Sequence, residues 1–272
     1  MQKTLALFFL SFILVLSACK KKDVDNETTS ATDFARIQQE FMQIVMAVNE
    51  RAANEKALGA ISDTTFSNCP TTTLTGDTTH DTLGVFTNTA NLPTLTITYS
   101  VCTGPDGKTR NGGTITVSFT KRYNVNGCVA NITLTGYDVN GASCQGTATL
   151  TRTSVNTFNF SVTDGAFVGS KTTKLSGNMS VTLYDSSTRS FSDDNIEFTG
   201  SISGTNQDNR KYTATITQAL KKRADCAWIA QGVAGVTPDG LHTRTVNFGN
   251  GNCDDIASFV LDSQTFTLHM SK

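Results

Sequence analysis

Beyond Gly59 the chain alternates apolar and polar residues with period two, and this alternation constrains the fold more than any other feature. In TLTITYSVC, Leu95, Ile97, Tyr99 and Val101 fall on one face, with Thr94, Thr96, Thr98 and Ser100 on the other. The pattern recurs with Ile115, Val117 and Phe119; with Ile132 and Leu134; and with Phe158, Phe160 and Val162. It continues through Met179, Val181 and Leu183; Ile196, Phe198 and Ile202; Tyr212, Ala214 and Ile216; Val246 and Phe248; and Phe266, Leu268 and Met270. Such repetition predicts antiparallel strands with one buried and one wet face. TGPDGKTR, NVNG, VNGA, TNQDNR and TPDG supply hairpin turns between them. The count comes to about a dozen strands, with no βαβ spacing. A sheet this long must curl, close or fold over. The expected fold is therefore mainly β: a long antiparallel meander forming a curved sheet or partial barrel over residues 60–272. A two-sheet β-sandwich is the alternative. The four Pro and 21 Gly fit many short turns.

One segment has a helical period. Phe34, Ile37, Phe41, Ile44, Val45 and Val48 recur at spacings of three and four, predicting an amphipathic helix over 32–59. Thr32 or Asp33 would cap it and Gly59 would stop it. The apolar stripe is expected to pack on the sheet, although a stripe of this kind also suits a partner-binding helix.

The N-terminus speaks to location. Lys3 precedes an apolar run from Leu5 to Leu16, of signal-peptide length and short for a membrane span. Leu16-Ser17-Ala18-Cys19 then resembles a bacterial lipobox. It implies a lipoprotein signal peptide over 1–18 and acylation (palmitate or a similar chain) of Cys19, with several acyl chains giving stable anchoring. Residues 19–31, polar and nearly free of bulky apolar side chains, are expected to form a disordered tether. Lys20 after the Cys points to the outer membrane under the familiar sorting rule, with the leaflet left open. Asp23, Asp25 and Glu27 are similar to acidic surface-export signals of Bacteroidota.

With 22 basic and 23 acidic residues, the chain has no basic field suited to nucleic acid. The expected partners are the membrane, through the lipid, and an envelope protein, glycan or lipid ligand.

Setting Cys19 aside, six Cys remain for an oxidising compartment. If Asp239-Gly240 is a two-residue loop, Pro238 faces Leu241 and the register pairs Cys226 with Cys253. A register placing Leu74 opposite Ile97 pairs Cys69 with Cys102. Each bond would close a loop of about 30 residues, adding roughly 3–4 kcal/mol in the chain-entropy account. Around an Asn140-Gly141 turn, Cys128 and Cys144 fall some nine residues, or ~30 Å, out of register. They are either free thiols or a disulfide that requires a different strand assignment.

Catalytic signatures are missing. His80, His242 and His269 are scattered, and no HExxH, CxxC, GxSxG or P-loop pattern occurs. The chain is expected to be no enzyme, with no metal and no cofactor. Asp193-Asp194 is the one carboxylate pair on which a hydrolase reading could rest. Trp228 in CAWIA suits packing against the Cys226–Cys253 bond, or a sugar-stacking platform. NFGNGNCDD, Asn247 to Asp255, fails as an EF-hand loop: aligned on Asn250, the sixth position is Asp255 rather than Gly, and the twelfth is Leu261. It reads instead as a disulfide-stapled corner.

Four stretches resemble a family of uncharacterised Bacteroidota outer-membrane lipoproteins. They are LTITYSVCTGPDGKTRNGGTITVSFTKRY, GYDVNGASCQGT, DCAWIAQGVAGV and RTVNFGNGNCDDIASFVLD, within about residues 93–270. Asn247-Phe248 and the added Cys128 and Cys144 depart from the family pattern. The resemblance implies a β-rich envelope lipoprotein, without an assigned activity or catalytic residues. SDTT, GDTT and HDTL similarly resemble Bacteroidota O-glycosylation motifs, which would place glycans on Thr64, Thr78 and Thr82.

Overall fold

A computed structural model describes residues 25–59, 69–104, 106–184 and 195–271. After helix α1 (Thr29–Ala53), the chain forms β1 (Thr71–Thr75), β2 (Thr94–Tyr99), β3 (Cys102–Thr103), β4 (Thr109–Phe119), β5 (Val129–Val139), β6 (Ala142–Arg152) and β7 (Thr157–Val168). It continues through β8 (Thr172–Tyr184), β9 (Asn195–Thr205), β10 (Lys211–Lys222), β11 (Gln231–Pro238), β12 (Arg244–Asn250), β13 (Ile256–Leu261) and β14 (Gln264–His269). All fourteen strands belong to one sheet, each paired antiparallel to its neighbour, with β3 extending the β2 side of β4. Among the described residues β1 does not pair with β14, so the sheet is a single open layer and no sandwich forms.

Period two decides the faces. Leu95, Ile97, Ile115, Val117, Phe119, Phe158, Phe160, Val181, Phe198, Val246 and Phe248 are all buried on the inner face. The outer face carries hydroxyls in register: Thr73, Thr96, Thr116, Thr133, Thr147 and Thr163 form one cross-strand row. Such Thr pairs fit the pleat without needing charges. Val101 departs from expectation. β2 ends at Tyr99, the chain turns out before β3, and Val101 is 74% exposed.

The sheet curves because glycines crease it, and here the glycine reading needs correction. Gly113, Gly136, Gly146, Gly165, Gly177, Gly200 and Gly232 lie inside strands rather than turns, at or beside breaks in register. Bulges of this kind bend a strand and increase its twist. Gly113 has φ +97°, and a Cβ there would come inside 3.0 Å of the Gly136 carbonyl. A Cβ on Gly165 would lie 2.7 Å from the Phe41 ring, so α1 seats a phenyl group in the crease.

α1 fills the concave face. Phe34, Ile37, Phe41, Ile44, Val45 and Val48 are all buried, worth roughly 1.5–3 kcal/mol for each large side chain. Phe34 meets Phe248 edge-on and Phe41 meets Phe160, each pair with centroids 6.3 Å apart. The helix starts three residues before the expected Thr32, because Glu27 caps it from outside. Its carboxylate accepts from the Ser30 N–H at 2.7 Å and the Ser30 hydroxyl at 3.0 Å. Asp33 accepts instead from the Gln207 N–H on the β9–β10 turn. The regular helix ends at Ala53. Gly59, at φ +90°, terminates the following 3-10 turn Lys56–Leu58.

Both expected disulfides form, through registers other than the ones inferred. The Leu241 N–H donates to the Pro238 carbonyl at 3.1 Å, as a tight turn there requires, but residues 239–243 lie between β11 and β12 and Val236 pairs with Arg244, one residue off the inferred register. The break at Gly232 shifts the register again. Cys226 and Cys253 then meet beyond the strand ends, with Cα atoms 5.5 Å apart. Leu74 pairs with Leu95 rather than Ile97, and the turn-out before β3 carries Cys102 to Cys69, Cα–Cα 6.5 Å. The Asn140-Gly141 turn places Val139 opposite Ala142 as expected. Cys144 then faces Tyr137, and Cys128 and Cys144 are separate, free and buried.

Candidate functional site

The densest polar chemistry lies between α1 and the β3–β4 hairpin. Around this hairpin the Gly107 N–H donates to the Gly104 carbonyl at 3.0 Å and the Lys108 N–H to Asp106 Oδ1 at 3.1 Å. Arg110 donates to both Asp106 oxygens, at 2.8 Å to Oδ2, and to Glu40 Oε1 of α1 at 3.1 Å. Tyr137 Oη donates to the same Glu40 oxygen at 3.2 Å, and Lys108 Nζ lies 3.5 Å from Glu40 Oε2. Two carboxylates thus meet two cations. Burial opposes the Arg110 charge, but Asp106 and Glu40 outweigh it and raise its pKa well above the ordinary value. Burial likewise raises the Tyr137 phenol. The Glu40 and Asp106 side chains are at most 1% exposed, so no substrate reaches these carboxylates. The arrangement is an ionic clasp that holds the helix in the sheet.

The CAWIA loop latches onto the same stretch of helix. Gln39 Nε2 and Gln43 Nε2 donate to the Ala227 carbonyl at 2.7 and 2.6 Å, and the Ile229 N–H donates to Gln39 Oε1 at 2.8 Å. Trp228 is half-buried against the core, with the Lys108 ammonium 5.7 Å from its ring centroid, a cation–π position. Its main-chain N–H approaches Cys226 Sγ at 3.5 Å.

A second clamp holds the segment before the helix. Arg244, fully buried, donates from Nε and Nη2 to the Glu27 carbonyl at 3.0 and 2.7 Å, and pairs with the Asp25 carboxylate. Burial works against Asp25 ionisation. The Arg244 side chain and the Glu27 and His242 N–H groups more than offset it and hold that carboxyl below its usual range. Asn206 Nδ2 donates to Glu27 Oε1 at 3.0 Å. The expected tether over 19–31 is therefore corrected at its end: residues 25–31 are bound or helical, because buried Arg244 requires counter-charges.

Two openings reach solvent nearby. A cleft of about 360 Å³ lies between α1 and the β5–β6 and β7–β8 tips, lined by Asp33, Arg36, Lys108, Asn140, Phe167 and Lys171. Burial raises the Asp33 pKa, partly offset by the Gln207 N–H and the Thr173 hydroxyl. A wider groove of about 870 Å³ runs over the ends of the middle strands, lined by Lys174, Ser203, Lys211, Thr213 and Thr237 among others. Both lie in the ordinary size range of small-ligand pockets.

Other expected residues are dispersed. Cys19, Thr64, Asp193 and Asp194 lie outside the described residues. Thr78 and Thr82 sit in the β1–β2 connection, and the neighbouring acids have a local role there. Asp77 accepts from the Thr79 N–H at 2.9 Å, and Asp81 from the Leu83 and Val85 N–H groups at 2.8 and 2.9 Å. His80 accompanies that loop, and His242 lies at the β11–β12 turn. In NFGNGNCDD, Gly249 and Gly251 have φ +92° and +113°, as a corner requires. Asp254 accepts from the Ile256 N–H, and Asp255 from Ser271 and at 3.0 Å from His269, so both carboxylates serve the corner. Among the described residues no group of three His, Cys, Asp or Glu side chains is arranged to hold a metal. No described helix is long and apolar enough to cross a membrane.

Glu40, Asp106, Lys108, Arg110 and Arg244 carry this polar architecture, and none stands out by periodicity. One signal was available: Glu40 falls between Ile37 and Ile44 on the apolar stripe, where an acid needs a partner. Comparisons with protein-family models, curated proteins and solved structures return no match to this chain.

Proposed function

We propose that this protein is a lipid-anchored lipoprotein of the outer membrane that acts as a non-catalytic binding or structural β-module. The observation that carries the reading is the division of cysteines. Cys19 closes a lipobox-like sequence, and four of the remaining six are joined in two disulfides, as befits an oxidising envelope compartment. The membership suggested by GPDGKTR, YDVNG and CAW belongs to the same proposal. The ionic clasp supports a non-catalytic role, since its acids are spent on holding α1. The cleft and groove are the surfaces offered to a glycan, lipid headgroup or envelope protein.

Membrane fractionation with whole-cell protease shaving tests the location. A clickable palmitate analogue should label the wild type and not Cys19→Ala; an unlabelled wild type, or its recovery in the cytosol, would contradict the proposal. The rival reading, a carrier of an apolar ligand, would require α1 to leave the concave face against the Glu40–Arg110 contact. Native mass spectrometry showing a stoichiometric co-purifying lipid would favour that rival.

A further inference from the structure

We propose that the Arg244 clamp fixes which end of the sheet faces the bilayer, namely the end carrying the β9–β10 and β11–β12 turns. This rests on the reading of Cys19 as the lipid anchor and deepens it. Asp25 is held by Arg244 and, at 3.2 Å, by the His242 N–H of the β11–β12 turn. Glu27 is held by Arg244 and by Asn206 of the β9–β10 turn. Residues 26–29 run along those two turns, lining a depression of about 680 Å³ with Asn206, Asp208, Arg210, Lys211 and Asp239.

Chain geometry then limits the distance to the membrane. Six Cα–Cα steps separate Cys19 from Asp25, a reach of at most ~20 Å, where a free run to residue 31 would reach about 40 Å. β8 alone, at 13 residues, is ~43 Å long. A 40 Å leash would let either end of the sheet approach the lipid. A 20 Å leash tied to these turns brings only their end to the headgroups. The antiparallel meander places the β5–β6, β7–β8 and β13–β14 turns at this same end, together with the cleft mouth. At the opposite end, Val155 is 75% exposed on the β6–β7 turn, where it faces away from the bilayer.

The test uses the full lipidated chain on vesicles of phosphatidylethanolamine and phosphatidylglycerol containing a headgroup spin-labelled lipid. One cysteine is introduced for a fluorophore, either Ser170→Cys on the β7–β8 turn or Val155→Cys at the far end. The native thiols Cys128 and Cys144 are buried and do not compete. Quenching is expected to be at least threefold stronger at residue 170 than at 155. A 20-residue Gly-Ser insertion between Val24 and Asp25, which leaves the clamp intact, should erase the difference. Equal quenching at the two sites without the insertion, or stronger quenching at 155, overturns the orientation. A preference that survives the insertion also overturns the clamp as its cause. Failure of the wild type to float with vesicles overturns the lipid-anchor reading instead, and the orientation with it.

Discussion

Replacing Arg110 with Met should loosen the helix from the sheet at a cost that the ionic clasp makes calculable. Arg110 is the main cation for Asp106 and for Glu40, at 2.8 and 3.1 Å, and both carboxylates are at most 1% exposed. Met fills a similar volume but leaves Glu40 with only Lys108, at 3.5 Å, and Asp106 with only the longer-range charge of Lys222. Removing one partner of a buried ion pair costs about 3–5 kcal/mol, because the orphaned charge is left desolvated. At ~2–4 °C per kcal/mol for a domain of this size, the midpoint should fall by roughly 6–20 °C. Denaturant titration gives the free energy, and hydrogen exchange locates it: amides of α1 from Ile37 to Val48 should exchange faster than those of β6–β8. Adding Glu40→Gln and Asp106→Asn should restore at least half of the loss, since the charges that need Arg110 are gone and Lys108 can turn into the cleft it lines. A loss below about 1 kcal/mol for Arg110→Met, or no recovery in the triple variant, would refute the view that this network is a closed buried clasp.

Three further outcomes follow from the same structure. Lys222 is buried and donates to the Cys226 carbonyl; burial depresses its pKa to about 8, partly opposed by Asp106 and Asp225. The unfolded chain therefore binds more protons between pH 8 and about 10.5, and stability should rise with pH across that window. Lys222→Met should raise stability at pH 7 by on the order of 1–3 kcal/mol and flatten the rise between pH 8 and 9.5, both read from denaturant midpoints. Burial pushes the Cys128 thiol up to about 11 and the Cys144 thiol well above its ordinary value. A thiol reagent at pH 8 should find neither in the native protein and both after denaturation; rapid native labelling of either would contradict the packing. Gly113→Ala should destabilise by on the order of 3 kcal/mol or more, because its Cβ meets the Gly136 main chain at a positive φ. Gly141→Ala, with open space around the added Cβ, should cost only ~1 kcal/mol.

Much of the architecture is local and so could be read in order along the chain. Period-two alternation names the inner residues strand by strand, and a single 3.6-residue stripe names the helix. The Asn140-Gly141 turn predicts its register because that hairpin has two loop residues and no break beside the turn. The other hairpins do not transmit register so cleanly. The β11–β12 pairing is one residue off the register of a two-residue loop, and Gly232 shifts the count once more, yet Cys226 and Cys253 still meet because both lie in loops able to adjust.

Sequence alone determined that this chain would be an antiparallel meander with one apolar face and one helix to cover it, since both patterns depend only on near neighbours. Tertiary structure decided the rest. Whether 21 glycines make turns or a crease depends on which carbonyl lies across the strand, as Gly136 does for Gly113. Whether an acid near the N-terminus is tether or anchor depends on Arg244, more than 200 residues away, being buried and in need of charge. Period and spacing carry no record of such meetings, because Coulomb and steric contacts act through space between residues that the chain itself keeps far apart.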